Sequence, residues 1–387
     1  MAKVAIRGAL LIDPEAGAPV AATLLLDGGR IAGRLAPGDA PGPDWRIVDR
    51  RGRCVAPGFL DLHFHGELVA TPPAGFAPAL ARDASRMLAE GTTTFLATSV
   101  CWPRETEASA LEALARAADG LAGGAACLGL HLEGPWISPD APGAMAPDAI
   151  RPFDPRADAE VLARAGERLR MVTLAPEAPG ADALLDALDA RDVVAALGHT
   201  RASAERIDAA VARGLRHVTH LWNAMGPVHH RAPGVAGAVL ADDRLSCDLI
   251  CDGHHVHPDI VRTTARALGE RLLLITDRVA LPEEAGADSA LGAATAGPDG
   301  DAWRRADGTL VGSQLGLDGA VRNARRFAGL GLCEAVAACT LRPARLLGVE
   351  AERGTLRPGA RADLAVLDAG GGVVETWRDG VPAWSAA

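Results

Sequence analysis

The chain has 387 residues, 49% hydrophobic and 23% charged, with a formal net charge of −10 and a mean hydropathy of +0.11. That composition excludes disorder as the main state. An acidic chain without a basic tract is also unsuited to nucleic acid or an anionic membrane. No run of about 18 apolar residues could cross a bilayer, and the N-terminus lacks an apolar stretch ending in a small-residue cleavage site, so a cytoplasmic location is expected.

Two absences narrow the chemistry. Tyr is missing altogether, and Lys occurs once, at Lys3. A phenol, a P-loop lysine, a Schiff-base lysine and a carbamylated lysine bridging two metals are therefore all excluded. The seven Cys form no CxxC pair, so reduced, mostly buried thiols are expected.

In chain order, residues 4–6, 22–26, 30–32 and 46–49 read as short strands separated by Gly and Pro turns. The tail has the same texture at 363–367 and 373–377. Both ends are expected to form one small β-sandwich domain, residues 1–56 plus 355–387. No GxGxxG opens a helix after a strand, so the Gly-rich segments are turns rather than phosphate cradles. Between 57 and 354 strands and helices alternate. Residues 79–90 read as a helix stopped at Gly91, 92–98 as a β-branched strand, 108–121 as a helix and 127–132 as a buried strand. Ser203 can cap a helix that ends at Gly214. Eight candidate strands lie around Leu60, Phe95, Leu130, Leu174, Ala196, Val218, Leu249 and Leu274. The fold class expected is α/β: a TIM-type (β/α)8 barrel carrying the small β domain.

All 11 His lie between His63 and His257, mostly at the C-terminal ends of the proposed strands, which in a barrel form the catalytic face. Burying such groups without a partner is costly, so a shared metal site is expected. His63 and His65 stand two apart on a strand and leave it on one face, which suits two nitrogen ligands. Glu133 ends an otherwise apolar strand, as either a salt-bridge partner or an oxygen ligand. His199 and His220 each follow a strand, and Asp277 closes the apolar run 272–275 with a carboxylate.

These residues stand within Pro57-Gly58-Phe59-Leu60-Asp61, His131-Leu132-Glu133-Gly134-Pro135, Thr173-Leu174-Ala175-Pro176-Glu177 and Gly198-His199-Thr200. The longest element is Thr219-His220-Leu221-Trp222-Asn223-Ala224-Met225, followed by His229-His230-Arg231, Asp252-Gly253, His255-Val256-His257 and Gly308-Thr309-Leu310. As a linked set they resemble the amidohydrolase superfamily and, within it, the N-acetylglucosamine-6-phosphate deacetylase family, over almost the whole chain. The resemblance implies hydrolysis of the N-acetyl amide of an amino-sugar phosphate. It also implies a divalent metal, Zn foremost with Fe or Mn as alternatives, held by Glu133, His199 and His220. Asp277 is then the catalytic acid–base. Sugar-phosphate contacts fall on Asn223, Ala224, Arg231 and His255, with backbone near Ala144 and across Leu310, Val311 and Gly312. His63 and His65 are candidates for a second ion, with Glu133 as its only available bridge, and a homodimer is expected.

Two departures bear on the substrate. Met145 stands where the family has a His near the acyl carbonyl, and a thioether cannot donate a hydrogen bond. Arg278 and Val279 replace the usual Ala-Met after the catalytic Asp. Arg278 either acts on Asp277 or a substrate anion, or points outward to a barrel helix. The alternative readings are an amidohydrolase for another N-acyl amine, N-acyl sugar or cyclic amide, and a non-catalytic binding protein on the same barrel.

Overall fold

The computed structural model describes residues 3–281, 289–296 and 302–386. Its centre is a curled sheet in which parallel strands follow one another in sequence order: Phe59–Gly66, Thr92–Thr98, Ala126–Glu133, Leu169–Leu174, Val194–Leu197, Leu215–Val218, Ser246–Ile250 and Leu272–Ile275. The curl returns to its start. Asp277 N donates to His63 O at 2.9 Å, and Arg278–Val279 pairs in parallel with Phe59–Gly66. A small antiparallel extension, Thr295–Ala296, Ala302–Arg304 and Leu310–Ser313, completes the twelve-stranded sheet. That extension has no counterpart among the sequence-predicted strands.

Local chemistry explains the alternation. The run Thr92–Thr98 is rich in β-branched and apolar residues and fully buried, as a strand packed on both faces should be. Gly91 takes φ +75° and stops the preceding helical segment. Ser203 caps Ala204–Val211 by accepting from Arg206 N at 3.3 Å. Helices packed around the sheet, such as Phe76–Met87, Arg104–Asp119 and Leu317–Ala328, turn their apolar stripes inward.

The two chain ends share a second sheet. Cys54–Pro57 pairs with Leu364–Leu367, which pairs with Val373–Arg378 and so with Val381–Ser385. A separate four-stranded sheet holds Val4–Arg7, Thr23–Asp27, Arg30–Leu35 and Arg46–Asp49. Residues of both sheets, including Ile6, Leu24, Val55, Val366 and Trp377, bury one another in a common cluster. The seven cysteines are free, five of them buried. No described helix is long and apolar enough to cross a membrane.

Candidate metal centre at the strand ends

Four imidazoles and two carboxylates converge where the parallel strands end. Glu133 is the hub. Its Oε1 lies 2.8 Å from His220 Nε2 and 3.1 Å from His199 Nε2. Its Oε2 lies 3.2 Å from His65 Nε2 and 3.4 Å from His63 Nε2. Asp277 Oδ1 sits 3.3 Å from His65 Nε2 and 3.4 Å from His63 Nε2. The donor atoms form two overlapping groups, His63–His65–Glu133 and Glu133–His199–His220, each with its atoms within 4.8 Å of one another. All five of these residues are buried.

The chain commits its backbone to this arrangement. His199, His220 and Asp277 have φ of +48°, +33° and +49°, a left-handed region that costs a non-glycine residue energy and clusters at functional sites. Neighbours hold them there. His220 N donates to Asp248 Oδ1, and Asp248 Oδ2 meets His217 Nε2 at 3.0 Å. Asp277 O accepts from Ser313 N at 2.8 Å. His199 Nδ1 lies 3.0 Å from Ala141 O and His65 Nδ1 lies 3.2 Å from Thr98 O. A carbonyl only accepts, so both rings donate through Nδ1 when neutral and turn an Nε2 lone pair to the centre.

The electrostatics are those of opposed charges in a dry site. Burial would raise the Glu133 carboxyl, but His63, His199 and His220 hold it well below the usual carboxylate range. Burial opposes charge on His65, yet Asp277 and Glu133 raise it to about 10. Glu133 likewise raises His220 to about 9 against burial. His131, in the same motif as Glu133, belongs to the core: Leu62 O and Thr173 Oγ1 lie 3.0 and 2.7 Å from its two ring nitrogens.

Above the centre opens a cavity of about 190 Å³. Ala144, Asn223, Ala224, His255, Leu310 and Gly312 line it together with His65, Glu133, His199, His220 and Asp277. Two expected contacts lie elsewhere. Arg231 stands on an exposed turn with Nη1 2.7 Å from His230 Nε2, and Val311 is fully buried and does not line the cavity. Arg278 turns outward: it pairs with Glu90, at the end of the helical segment 76–90, rather than with Asp277. Met145 lines the cavity, its Sδ accepting from Cys101 N at 3.5 Å. Gly143 permits the close approach of its loop, since a Cβ there would lie 2.9 Å from His199 Cε1. Val279, Leu291 and Thr309 also line the cavity. Beside them Arg305 ties the loops together, donating to Ala144 O at 2.5 Å and, through Nε, to Leu291 O at 2.8 Å. Nothing in the sequence singles out Leu291 or Arg305, because tertiary packing and no local pattern brings them to the cavity.

Comparison with known proteins agrees with this geometry. The amidohydrolase family model matches residues 54–383, and the chain belongs to the amidohydrolase family. It is accordingly a hydrolase. The N-acetylgalactosamine-6-phosphate deacetylase of Escherichia coli O157:H7 is 34% identical over 334 residues, 86% of this chain and 89% of that protein. The N-acetylglucosamine-6-phosphate deacetylase of Homo sapiens is 36% identical over 359 residues, 88% and 87% of the two chains. Among solved structures, a mutant N-acetyl-D-glucosamine-6-phosphate deacetylase from Mycobacterium smegmatis, in complex with N-acetyl-D-glucosamine-6-phosphate, superposes with a TM-score of 0.88 at 32% identity over 99% of both chains.

Proposed function

We propose that this chain hydrolyses the N-acetyl amide of an amino-sugar 6-phosphate, on a (β/α)8 barrel of residues 57–354 carrying a β-sandwich domain of residues 1–56 and 355–387. The observation that carries the reading is the single carboxylate of Glu133 facing two His pairs, with Asp277 beside one pair, at the floor of a cavity. The names of the relatives point to the same substrate class.

The residues fit a divalent cation. Nitrogen and oxygen donors converge without a thiolate, a set that serves Zn, Fe or Mn. The buried Nδ1 of His220 and of His63 have no protein partner among the described residues. Glu133, His199 and His220 would hold one ion, and His63, His65 and Glu133 a second. Such an ion supplies an acidified water and a polarised carbonyl.

The chain's own residues do the rest. Asp277 accepts the proton of the attacking water at Oδ1 and returns it to the departing nitrogen, as a carboxylate held beside the reacting atoms can. The backbone bonds on either side of Asp277 fix that oxygen. Asn223 and His255 offer polar atoms to the sugar phosphate; Asp252 orients the His255 ring, with Nδ1 and Oδ2 2.6 Å apart. Cavity walls at Ala144, Leu291 and Leu310 exclude water around the acyl group. Met145 offers no donor to the acyl carbonyl, which favours a second reading, the same reaction on an altered acyl group; the galactosamine epimer enters from the name of one relative.

The test is a panel of N-acyl sugars with and without a 6-phosphate, assayed on native protein and on Asp277→Asn. Native turnover of one phosphorylated sugar is expected, lost on chelation and restored by a divalent metal. Asp277→Asn should keep its metal and lose turnover by about 10³-fold or more. Retained turnover removes Asp277 from its role. Turnover indifferent to chelation removes the metal.

A further inference from the structure

At the opposite end of the curled sheet lies a larger cleft, of about 550 Å³, within the range of small-ligand sites. Its walls form where the strands begin. Arg170 and Arg216 are the second residues of Leu169–Leu174 and Leu215–Val218, and Arg271 immediately precedes Leu272–Ile275. Arg342 and Arg345, on the helix Leu341–Leu346, close the far side. At about 3.3 Å per residue the intervening strands separate this cleft from Glu133 and Asp277 by roughly 15–20 Å.

The charge of the cleft is unbalanced. Six arginines, Arg244 included, meet three carboxylates: Asp192, Asp243 and Glu270. The side chains of Asp192 and Asp243 are each 96% exposed, so water screens most of what they offer. Arg244 is held by Asp208 and Asp242. Arg271 is occupied in donating to main-chain carbonyls such as those of Asp242 and Leu245, a structural task. Arg170 and Arg342 make no ion pair among the described residues; they donate to the carbonyls of Leu347 and of Gly269 and Leu272. The guanidinium of Arg345 has neither hydrogen bond nor ion pair among the described residues. Burial, with Arg345 adding to it, pushes the Arg342 guanidinium below its ordinary range. Arg216 and Arg271 pair with the exposed Asp192 at 3.6 Å and Asp243 at 3.2 Å, which leaves the forks of Arg170, Arg342 and Arg345 without an ion pair among the described residues, and such forks match the oxygens of a phosphate.

We propose that this cleft binds a small phosphorylated metabolite. A phosphate brings about −1.5 to −2 charges at neutral pH, which meets the arginines of the cleft that no carboxylate pairs. The site is separate from the catalytic cavity and independent of the reaction assigned there.

Calorimetric titration of the native protein with fructose 1,6-bisphosphate as the probe tests this, beside the double variant Arg216→Glu/Arg345→Glu. Saturable binding by the native chain is expected, weakened about tenfold or more in the variant, with the variant's unfolding midpoint without the probe and its amide-hydrolysis kcat/KM unchanged. Equal binding by the two proteins, or no saturable binding by the native one, overturns the proposal. If the double variant does not fold, Arg345→Ala, at an exposed position, gives the same comparison.

Discussion

Glu133 shows how one residue can organise a site: each of its oxygens faces its own His pair, and its charge is maintained by the rings it faces. The residues behind the centre matter as much. Asp248 is fully buried, takes the His220 amide with one oxygen and faces His217 with the other. Asp248→Ala frees a strained backbone from its anchor, so metal affinity should fall by about 10–100-fold, read by competition with a chelator. Unchanged affinity would reduce Asp248 to a packing residue. Asp83 permits a pH prediction away from the metal. Burial raises its carboxyl to about 6 from an ordinary 3.8, although it accepts from Glu67 N at 2.9 Å. The folded state therefore binds more protons than the unfolded one between about pH 4 and 6, and stability falls as pH rises through that window. Asp83→Asn keeps the acceptor and removes the titration. Relative to the native chain it should gain up to about 3 kcal/mol between pH 3 and pH 7. Parallel urea titrations at the two pH values check this, and a constant difference refutes it.

The elements divide into strands that place groups and loops that shape the cavity. The loop after Ala126–Glu133 carries Gly143, Ala144 and Met145 into the cavity wall. It is tied down by Arg151, which bonds buried Glu107 and Asp158, the latter at 3.0 Å. Asp158 also accepts from Trp136 Nε1 at 3.1 Å. Arg151→Met leaves Glu107 buried without its partner, a loss of about 3–5 kcal/mol visible in chemical unfolding. Because the same loop forms the cavity, KM should rise with kcat less affected. A loss below about 1 kcal/mol would show that water reaches Glu107 after all.

For the whole molecule, the sheet built from both chain ends makes the last residues part of the fold. Trp377, fully buried, packs in the cluster that joins the two terminal sheets. Trp377→Ala should cost about 3–5 kcal/mol, measured by denaturant midpoint, although the residue lies far in sequence from every metal-site residue. A neutral effect would separate that cluster from global stability.

Much of this was legible in the residues because the chemistry is local. A histidine or carboxylate that ends an apolar run carries its own signal, and so do Gly91 and Ser203 at helix ends. Arg305 and Leu291 carry none. The hairpin 302–313 has no clear alternation, and what it touches is set by chain segments far away. The sequence also left Arg278 between two directions, and only the nearness of Glu90 decided it. By itself, then, the sequence determined which groups are available, in what order they come, and that their strands alternate with helices, since these follow from side-chain chemistry and periodicity. Tertiary structure alone decided that both oxygens of Glu133 are shared, that Arg231 and Val311 stand away from the cavity, and that arginines gather at the other mouth. Those facts depend on distances between residues far apart in the chain, which closing the sheet establishes and no local pattern encodes.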